Sequence, residues 1–280
     1  MLGASGMLGS AVMRVLTESS ELDVLGTIRS EETRTYFSAA IAGKLLIVED
    51  VQDHKDLMRV FNEIRPDAVI NCVSPSRGSL IKQDPLQLIP ICALLPHQLA
   101  QLCDQIGARL VHISTDGVFS GSKGCYSEDD PADATDVYGV SKYLGELRSP
   151  HTITLRTSII GHELRTSDGL LGWFMSQDKR CNCFSRAVFS GLPSVVLAQI
   201  VGDVVLPRPE LSGLYHVAAE PITKCELLRL IARVYGKSIE LVADDAVVID
   251  RSLNSDRFKA ATGYVAPDWP TLIQTMHSSR

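Results

Sequence analysis

The chain has 280 residues, carries 27 Lys and Arg against 33 Asp and Glu for a net charge of −6, and is 45% hydrophobic and 21% charged. This composition is typical of a globular α/β protein and excludes a disordered tail, a collagen-like repeat and a coiled coil. The chain has no run of Lys and Arg to displace counterions from phosphates, so we expect no nucleic-acid partner.

In the first half, short apolar runs alternate with stretches of helical period. Continuous apolar strands separated by helices are typical of a parallel sheet that is covered on both faces. The sequence therefore predicts an α/β fold with a doubly wound parallel sheet of the Rossmann type. The predicted strands are 22–28, 44–50, 67–74, 108–114 and 152–156, and the predicted helices are 8–18, 55–64, 86–106 and 138–146.

Beyond residue 157 the pattern loosens. A helix is predicted from Ser194, a strand over 213–219, and a helix that starts at the capping box of Thr223 and Glu226 and ends at Gly236. We predict a Rossmann domain over 1–156 and a smaller α/β substrate-binding lobe mainly over 157–280, with residues 194–219 returning to the first domain.

The seven cysteines are scattered and include no CxxC pair. We interpret them as reduced thiols of a cytoplasmic protein, and not as a disulfide framework or a metal site. The chain starts almost directly in a glycine-rich stretch, so no signal peptide is expected. The apolar stretch 191–207 is interrupted by Gln199, Gly202 and Asp203, so no membrane span is expected there.

The first motif is GASGMLG, with glycines at 3, 6 and 9, followed by a stretch of helical period. Glycines let the backbone turn tightly against a pyrophosphate, and the next helix offers its free N–H groups to the same anion. Alone the motif is weak, because a strand-to-helix turn without a ligand has the same pattern. Only two residues precede Gly3, so the first strand is predicted to be short or incomplete. The predicted cofactor contacts here are Gly3, Ser5, Gly6, Met7 and Leu8.

Arg29 and Ser30 directly follow the 22–28 strand, at the position where this fold places a side chain against the adenosine ribose. A guanidinium there binds a 2′-phosphate, so the position favours NADPH over NADH, although a solvated surface arginine has the same pattern. Further contacts are predicted after the next two strands, where Asp50 is expected at the adenine. These contacts are Asp50, Val51, Cys72, Val73 and Ser74.

The sequence YGVSK places Lys142 four residues after Tyr138, on the same face of a predicted helix. An ammonium beside a tyrosine lowers the pKa of the phenol, and Lys142 is also expected to bind the nicotinamide ribose. The segment ISTDGVFSG over 113–121 follows a strand and supplies the Ser114 and Thr115 hydroxyls and the Asp116 carboxyl. Separately, each pattern is also that of ordinary surface helix or turn sequence.

Together, GASGMLG, ISTDGVFSG and YGVSK resemble the extended short-chain dehydrogenase/reductase family, and in particular its dTDP-4-dehydrorhamnose reductase branch. The likeness continues in CALLPHQLA at 92–100, LRTSIIG at 155–161 and GLYHVAAEPITKCELL at 213–228. The resemblance implies an NADPH-dependent reductase of the keto group of a nucleoside-diphosphate-linked 4-keto-6-deoxy sugar. It makes Tyr138 the proton donor, Lys142 its partner and Thr115 the hydrogen-bond donor to the substrate oxygen. A homodimer is a further, open expectation.

The sequence departs from that branch at two places. Gly117 stands where an aromatic residue is usual, and Ile159 and Ile160 follow RTS where the branch often has a tryptophan. These departures leave the sugar open, and a 2-acetamido hexose fits as well as a rhamnose precursor. Three basic residues of the second lobe, Lys179, Arg180 and Arg186, are candidates for binding the diphosphate of the substrate, although a solvated basic turn has the same pattern. The predicted substrate contacts are Ser114, Asp116, Arg77 and Arg186.

Two alternatives stay open. The regulatory beta subunit of methionine adenosyltransferase belongs to the same branch, and a protein of that kind would bind NADP without turnover. A nucleotide-sugar epimerase has the same fold. A dehydratase is disfavoured, because Gly117 stands where the acid pair of that enzyme would need a glutamate.

Overall fold

The computed structural model describes residues 1–75 and 77–279, without the side chains of residues 77–79. The strands run over β1 (Gly26–Ile28), β2 (Leu45–Ile47), β3 (Ala68–Asn71), β4 (Arg109–Thr115), β5 (Thr152–Thr157), β6 (Ile159–Ile160), β7 (Arg180–Phe184), β8 (Ala187–Phe189), β9 (Leu192–Pro193), β10 (Gly213–His216), β11 (Ile222–Thr223), β12 (Glu240–Asp244) and β13 (Ile249–Asp250). The α-helices run over α1 (Met7–Thr17), α2 (Ala39–Ala42), α3 (His54–Ile64), α4 (Arg77–Lys82), α5 (Pro85–Ile89), α6 (Leu95–Ile106), α7 (Val137–Leu144), α8 (Leu170–Ser176), α9 (Ser194–Gln199), α10 (Lys224–Val234), α11 (Asp256–Thr262) and α12 (Trp269–Ser278).

The main sheet is parallel, and its first strand is replaced by the short segment Met1 to Ala4. Leu2 N donates to Ile70 O at 2.9 Å on one side, and Ala4 N donates to Thr27 O at 2.9 Å on the other. The segment therefore joins the β1–β2 pair to the four strands β3, β4, β5 and β10. The resulting order, with this segment between β1 and β3, is that of a doubly wound Rossmann sheet, so the predicted fold class is confirmed.

Helices cover both faces of this sheet. On one face α1 packs on α9, and α9 on α12, while on the other face α3 packs on α6. The apolar residues divide in the same way between two buried clusters, which include Val12 and Leu197 on the first face and Leu57 and Leu99 on the second. Burial on both faces explains why the predicted strands are continuous apolar runs.

The second half contributes to both lobes. The strand β10 pairs in parallel with β5, and α9 packs on α1, so part of the 194–219 segment lies in the main domain. In the smaller lobe, β8 pairs with β11 on one side and with β13 on the other, and β7 pairs with β12. The predicted capping box is confirmed: Thr223 and Glu226 bond each other's backbone N–H at the start of α10.

The predicted helix over 86–106 is interrupted. A π-helical turn, Pro90–Leu94, lies between α5 and α6, and it approaches the end of α7. A Cβ atom on Gly145 would lie 2.0 Å from the Cys92 carbonyl oxygen. This close approach leaves no room for a side chain at Gly145, the C-cap of α7.

Among the described residues, one helical stretch, Pro85–Ile106, is long and apolar enough to cross a membrane, with a mean hydropathy of 1.3. Half of its most apolar window is buried inside the protein, and the core helix of a globular protein has the same properties. The stretch was predicted from the sequence as a helix over 86–106, and the only apolar segment weighed there as a membrane span was 191–207.

One expectation about the cysteines is wrong. Cys183 on β7 and Cys225 in the first turn of α10 form a disulfide, and their Cα atoms lie 4.6 Å apart. The two residues are 42 positions apart in sequence, so only the packing of α10 against β7 brings them together. The cysteine pattern therefore no longer supports a cytoplasmic location, which stays a prediction.

Candidate active site

The glycine-rich turn lies between the Met1 to Ala4 segment and α1. Gly3 has φ of +80°, a conformation that favours glycine, and a Cβ atom on it would lie 3.1 Å from the backbone of Cys72. A Cβ atom on Gly9 would lie 2.0 Å from the Gly3 carbonyl oxygen, so only glycine allows α1 to pack this closely. The N-cap is Gly6, which has no side chain to accept from the first N–H groups of α1. These groups are available to an anion. Ser5, Met7 and Leu8 belong to the same turn.

The other predicted cofactor contacts lie along the same edge of the sheet, because the strands are parallel and their carboxyl ends meet there. The Arg29 side chain is exposed, and Asp50 Oδ1 accepts from Gln52 N at 2.9 Å. The edge thus carries Arg29 and Ser30 after β1, Asp50 and Val51 after β2, and Cys72, Val73 and Ser74 after β3. Their contact with a cofactor stays a prediction.

Thr115 and Tyr138 meet beside Gly117. Thr115 ends β4, and Tyr138 lies in the first turn of α7, whose N-cap Asp136 accepts from Gly139 N at 2.9 Å. A Cβ atom on Gly117 would lie 3.2 Å from Thr115 Oγ1 and 3.5 Å from Tyr138 Cε1. The hydroxyl and the phenol ring therefore flank the same short piece of backbone.

Lys142 lies one helical turn after Tyr138, as the spacing predicts. Its side chain is buried, and Nζ donates to Ile113 O at 2.7 Å. Burial lowers the pKa of Lys142, and the nearby Cys92 thiol and Glu146 carboxylate oppose this shift. The ammonium is therefore anchored on β4, two residues before Thr115.

The expected lowering of the Tyr138 pKa is wrong for this structure. Burial raises that pKa above its ordinary value, the Cys92 and Asp116 side chains add to the rise, and a hydrogen bond with Thr115 opposes it. Desolvation of the phenolate is the largest cause of this shift, and the Lys142 Nζ is engaged with the Ile113 carbonyl. The phenol is therefore protonated at neutral pH, which is the form that a proton donor needs.

Asp116 follows Thr115 and is half-buried. Burial raises the pKa of this carboxyl to about 6, and the shift is opposed by the charges of Arg251 and Lys224 and by hydrogen bonds from Thr115 and Ser158. The sequence analysis missed Ser158, Lys224 and Arg251. They come from the end of β5 and from the second lobe, and only the tertiary fold places them near Asp116.

The Ser114 hydroxyl points away from Thr115, because neighbouring residues of a strand face opposite sides of the sheet. It donates to Glu146 Oε1 at 2.8 Å, and Arg156 Nε donates to the same oxygen at 2.6 Å. Arg156 Nη1 also lies 3.2 Å from His216 Nε2. Ser114 belongs to this buried cluster and not to the Thr115 and Tyr138 pair, so we withdraw it as a substrate contact.

Of the two predicted substrate arginines, Arg186 does not join this group, and the prediction for Arg77 cannot be compared with the structure. Arg77 begins α4, and its side chain lies outside the described residues. Arg186 lies in the turn between β7 and β8 with an exposed side chain, and Lys179 and Arg180 are exposed as well. The structure thus gathers Thr115, Asp116, Tyr138 and Lys142, but not Ser114 or Arg186.

Comparison with known proteins identifies relatives over the whole chain. A family model described as the RmlD substrate binding domain matches residues 1–276. A probable low-salt glycan biosynthesis reductase of Haloferax volcanii is 29% identical over 91% of this chain and 83% of its own length. Methionine adenosyltransferase 2 subunit beta of Xenopus tropicalis is also 29% identical, over 84% of this chain and 71% of its own length.

Among solved structures, a dTDP-4-dehydrorhamnose reductase from Bacillus anthracis in complex with NADP superimposes with a TM-score of 0.81. It is 21% identical, and the match covers 99% of this chain and 97% of that one. At this identity the likeness concerns the fold.

Proposed function

The chain belongs to the RmlD substrate binding domain family, and from this premise we propose that it is an NADPH-dependent reductase. Its substrate is the keto group of a 4-keto-6-deoxy sugar linked to a nucleoside diphosphate. The observation that carries the proposal is the meeting of Thr115 and Tyr138 at Gly117, with Lys142 one helical turn away. This group lies at the carboxyl edge of the sheet, where α/β folds of this kind bind their ligands.

Each side chain has a distinct task. The Thr115 hydroxyl donates to the substrate oxygen and orients the carbonyl. Tyr138, whose raised pKa keeps it protonated, gives its proton to that oxygen as negative charge develops on it. Lys142, held on the Ile113 carbonyl, stabilises the phenolate that remains.

The residues at the sheet edge fit NADPH. A Cβ atom at Gly3 would crowd the backbone of this turn, so glycine keeps the turn open. The first N–H groups of α1 are available to a pyrophosphate. Arg29 is exposed beside this turn and fits a 2′-phosphate. When bound, NADPH supplies the hydride to the carbonyl carbon.

The relatives support a place in glycan synthesis, since the Haloferax volcanii protein is named a glycan biosynthesis reductase. The cytoplasm, where nucleotide sugars are expected, is the location that we propose. The domain boundary near residue 156 is part of the same proposal, with the cofactor on the first domain and the sugar between the lobes.

The experiment is the loss of NADPH absorbance with purified protein and a panel of nucleoside-diphosphate 4-keto-6-deoxy sugars, 2-acetamido forms included. Rapid oxidation with one member establishes the reductase and names its substrate. Absence of oxidation with every member contradicts the proposal.

A second candidate function is supported by the similarity to methionine adenosyltransferase 2 subunit beta, which is as high as that to the reductase of Haloferax volcanii. In that case the chain binds NADP and regulates a partner without turnover. Tight binding of NADP, no reduction of any sugar in the panel and capture of a defined protein partner favour this candidate.

A further inference from the structure

We propose that Lys224 and Arg251, two cationic side chains of the second lobe, form an anion subsite beside Asp116 that binds the diphosphate of the substrate. The inference rests on the proposed function and extends it, because it assigns the charged part of the nucleotide sugar to residues that the sequence motifs did not indicate.

The small sheet of the second lobe brings the two cations to one of its faces. Val188 on β8 is in register with Thr223 of β11 on one side and with Asp250 of β13 on the other. Lys224 and Arg251 are the next residues after these two partners. Because β11 is antiparallel to β8 and β13 is parallel to it, Lys224 and Arg251 lie one residue to either side of the level of Val188. The two cations, 27 positions apart in sequence, are therefore on the same face of the sheet, on opposite sides of β8.

The same sheet is docked on the loop that follows Asp116. Asp250 N donates to Gly121 O at 2.8 Å, and a Cβ atom on Gly121 would lie 3.0 Å from Arg251 Cγ. The Asp116 carboxyl responds to the charges of both Arg251 and Lys224. The second lobe therefore brings both cations near Asp116, the residue that follows Thr115.

Neither cation has an acidic partner among the described residues. Within the described part of the chain, Arg251 Nε is buried without a hydrogen bond. Lys224 is half-buried, and burial lowers its pKa. Neither side chain forms an ion pair within 4.0 Å among the described residues, whereas Arg156 pairs with Glu146 and Arg257 with Glu128 and Asp129. Removing a cation from water without a counter-charge costs free energy, and an anionic ligand offsets this cost.

The chemistry of the site selects a diphosphate. Arginine offers a planar fork that matches phosphate oxygens, and lysine adds a point charge. Asp116 has a pKa raised to about 6 and is mostly charged at neutral pH, so it opposes an anion less as the pH falls below that value. A sugar whose keto group lies at Tyr138 can extend its diphosphate toward the second lobe, where these cations lie.

The test measures binding, not turnover. Isothermal titration of the NADP-loaded protein with dTDP, UDP and GDP gives a dissociation constant for each diphosphate, and the matching nucleosides report contacts that do not involve phosphate. We expect Lys224→Met and Arg251→Met each to weaken binding of the preferred diphosphate about tenfold or more, as for a lost charged hydrogen bond. Binding of NADP and of the nucleoside is expected to stay unchanged.

Lys259→Met is the matched control, since this lysine of the same lobe is exposed and lies on α11; the affinity of this variant for the diphosphate should equal that of the wild type. Arg251→Lys retains the charge and should recover part of the lost affinity if the Met variant folds poorly. Unchanged diphosphate binding in both Met variants overturns the inference, and so does an equal loss for nucleoside and diphosphate. If the wild type binds NADP but no nucleoside diphosphate, the proposed function itself is wrong.

Discussion

Tyr138 has a raised pKa because burial removes water from its phenolate, and this agrees with a role as proton donor in a reduction. The Tyr138→Phe variant should lose about 10²–10⁴-fold in kcat, the usual contribution of general acid catalysis. The dissociation constant of NADPH, measured by fluorescence titration, should not change. Tyr143→Phe is the control, because Tyr143 lies on the same helix and is exposed. Full activity in the Tyr138→Phe variant would show that another group supplies the proton.

Asp116 gives the reaction a predicted pH dependence. Its pKa is raised to about 6, so the carboxyl is neutral below that pH and charged above it. The groups that face it are Arg251, Lys224, the hydroxyls of Thr115 and Ser158, and the Tyr138 phenol, whose pKa the carboxylate raises. The charged form makes Tyr138 a weaker acid and repels an anionic substrate. We expect kcat/KM to fall as the pH rises through about 6.

This prediction is tested by measuring kcat/KM from about pH 5 to about pH 8, which is roughly one unit below and two units above the pKa of Asp116. The Asp116→Asn variant should lose the step near pH 6. A step of the same size in that variant would assign the titration to another group.

Arg29 is exposed at the end of β1, beside the glycine-rich turn. Arg29→Asp replaces a phosphate-binding charge with one that repels a 2′-phosphate, so the ratio of kcat/KM for NADPH to that for NADH should fall at least about tenfold. Arg148→Asp is the control, since this exposed arginine precedes β5 at the opposite edge of the sheet. An unchanged ratio in Arg29→Asp would mean that Arg29 does not contact the 2′-phosphate.

At the scale of elements, a buried ion pair holds α7 against the sheet. Glu146 follows the helix that carries Tyr138 and Lys142, and both of its oxygens accept from Arg156 of β5, at 2.6 and 2.7 Å. The same carboxylate accepts from Ser114, which precedes Thr115 on β4. The Glu146 and Arg156 pair therefore connects the three elements that support the candidate active site, and both residues are positioning residues.

Removing one partner of this pair leaves the other charge buried. Arg156→Met should lower the free energy of unfolding by about 3–5 kcal/mol, measured by urea denaturation, and the Glu146→Gln/Arg156→Met double variant by less. Arg59→Met breaks exposed pairs with Asp56 and Glu63 and should cost at most about 1 kcal/mol. If Arg156→Met and Arg59→Met cost the same, the buried ion pair does not hold these elements together.

Much of the fold could be predicted, because the buried strands of a parallel sheet are continuous apolar runs. The run over 108–114 became β4 and the run over 152–156 became β5 with little change. The predicted strand over 22–28 formed only at Gly26–Ile28. The π-helical turn at Pro90–Leu94 was not predicted, since nothing in the helical period of 86–106 marks it, and its contact with Gly145 joins residues 53 positions apart.

At the scale of the whole molecule, the docking of the second lobe on the first determines which site residues could be predicted from the sequence. Thr115, Tyr138 and Lys142 belong to short motifs, and local strand and helix geometry brings them to one edge of the sheet. Lys224 and Arg251 belong to no motif, and they reach Asp116 only because the second lobe docks on the loop after β4. The residues predicted for the diphosphate from the sequence, Lys179, Arg180 and Arg186, are all exposed.

The outer face of the molecule bears on the predicted homodimer. The helical stretch 85–106 packs beside α7, and both leave large apolar side chains in water. Leu86 is 86% exposed, Leu94 54% and Leu144 57%. Because exposed apolar side chains on neighbouring helices are costly to hydrate, a second copy that buries this face against itself is expected to stabilise the protein.

The double variant Leu94→Glu/Leu144→Glu should therefore be monomeric at concentrations at which the wild type is a dimer, measured by size-exclusion chromatography with light scattering. Two carboxylates per chain would have to be desolvated at the interface, which opposes association. Val265→Glu is the control, because Val265 is 62% exposed and lies between α11 and α12, outside these two helices. A wild type that stays monomeric, or a double variant that stays dimeric, contradicts the prediction that this face forms the dimer.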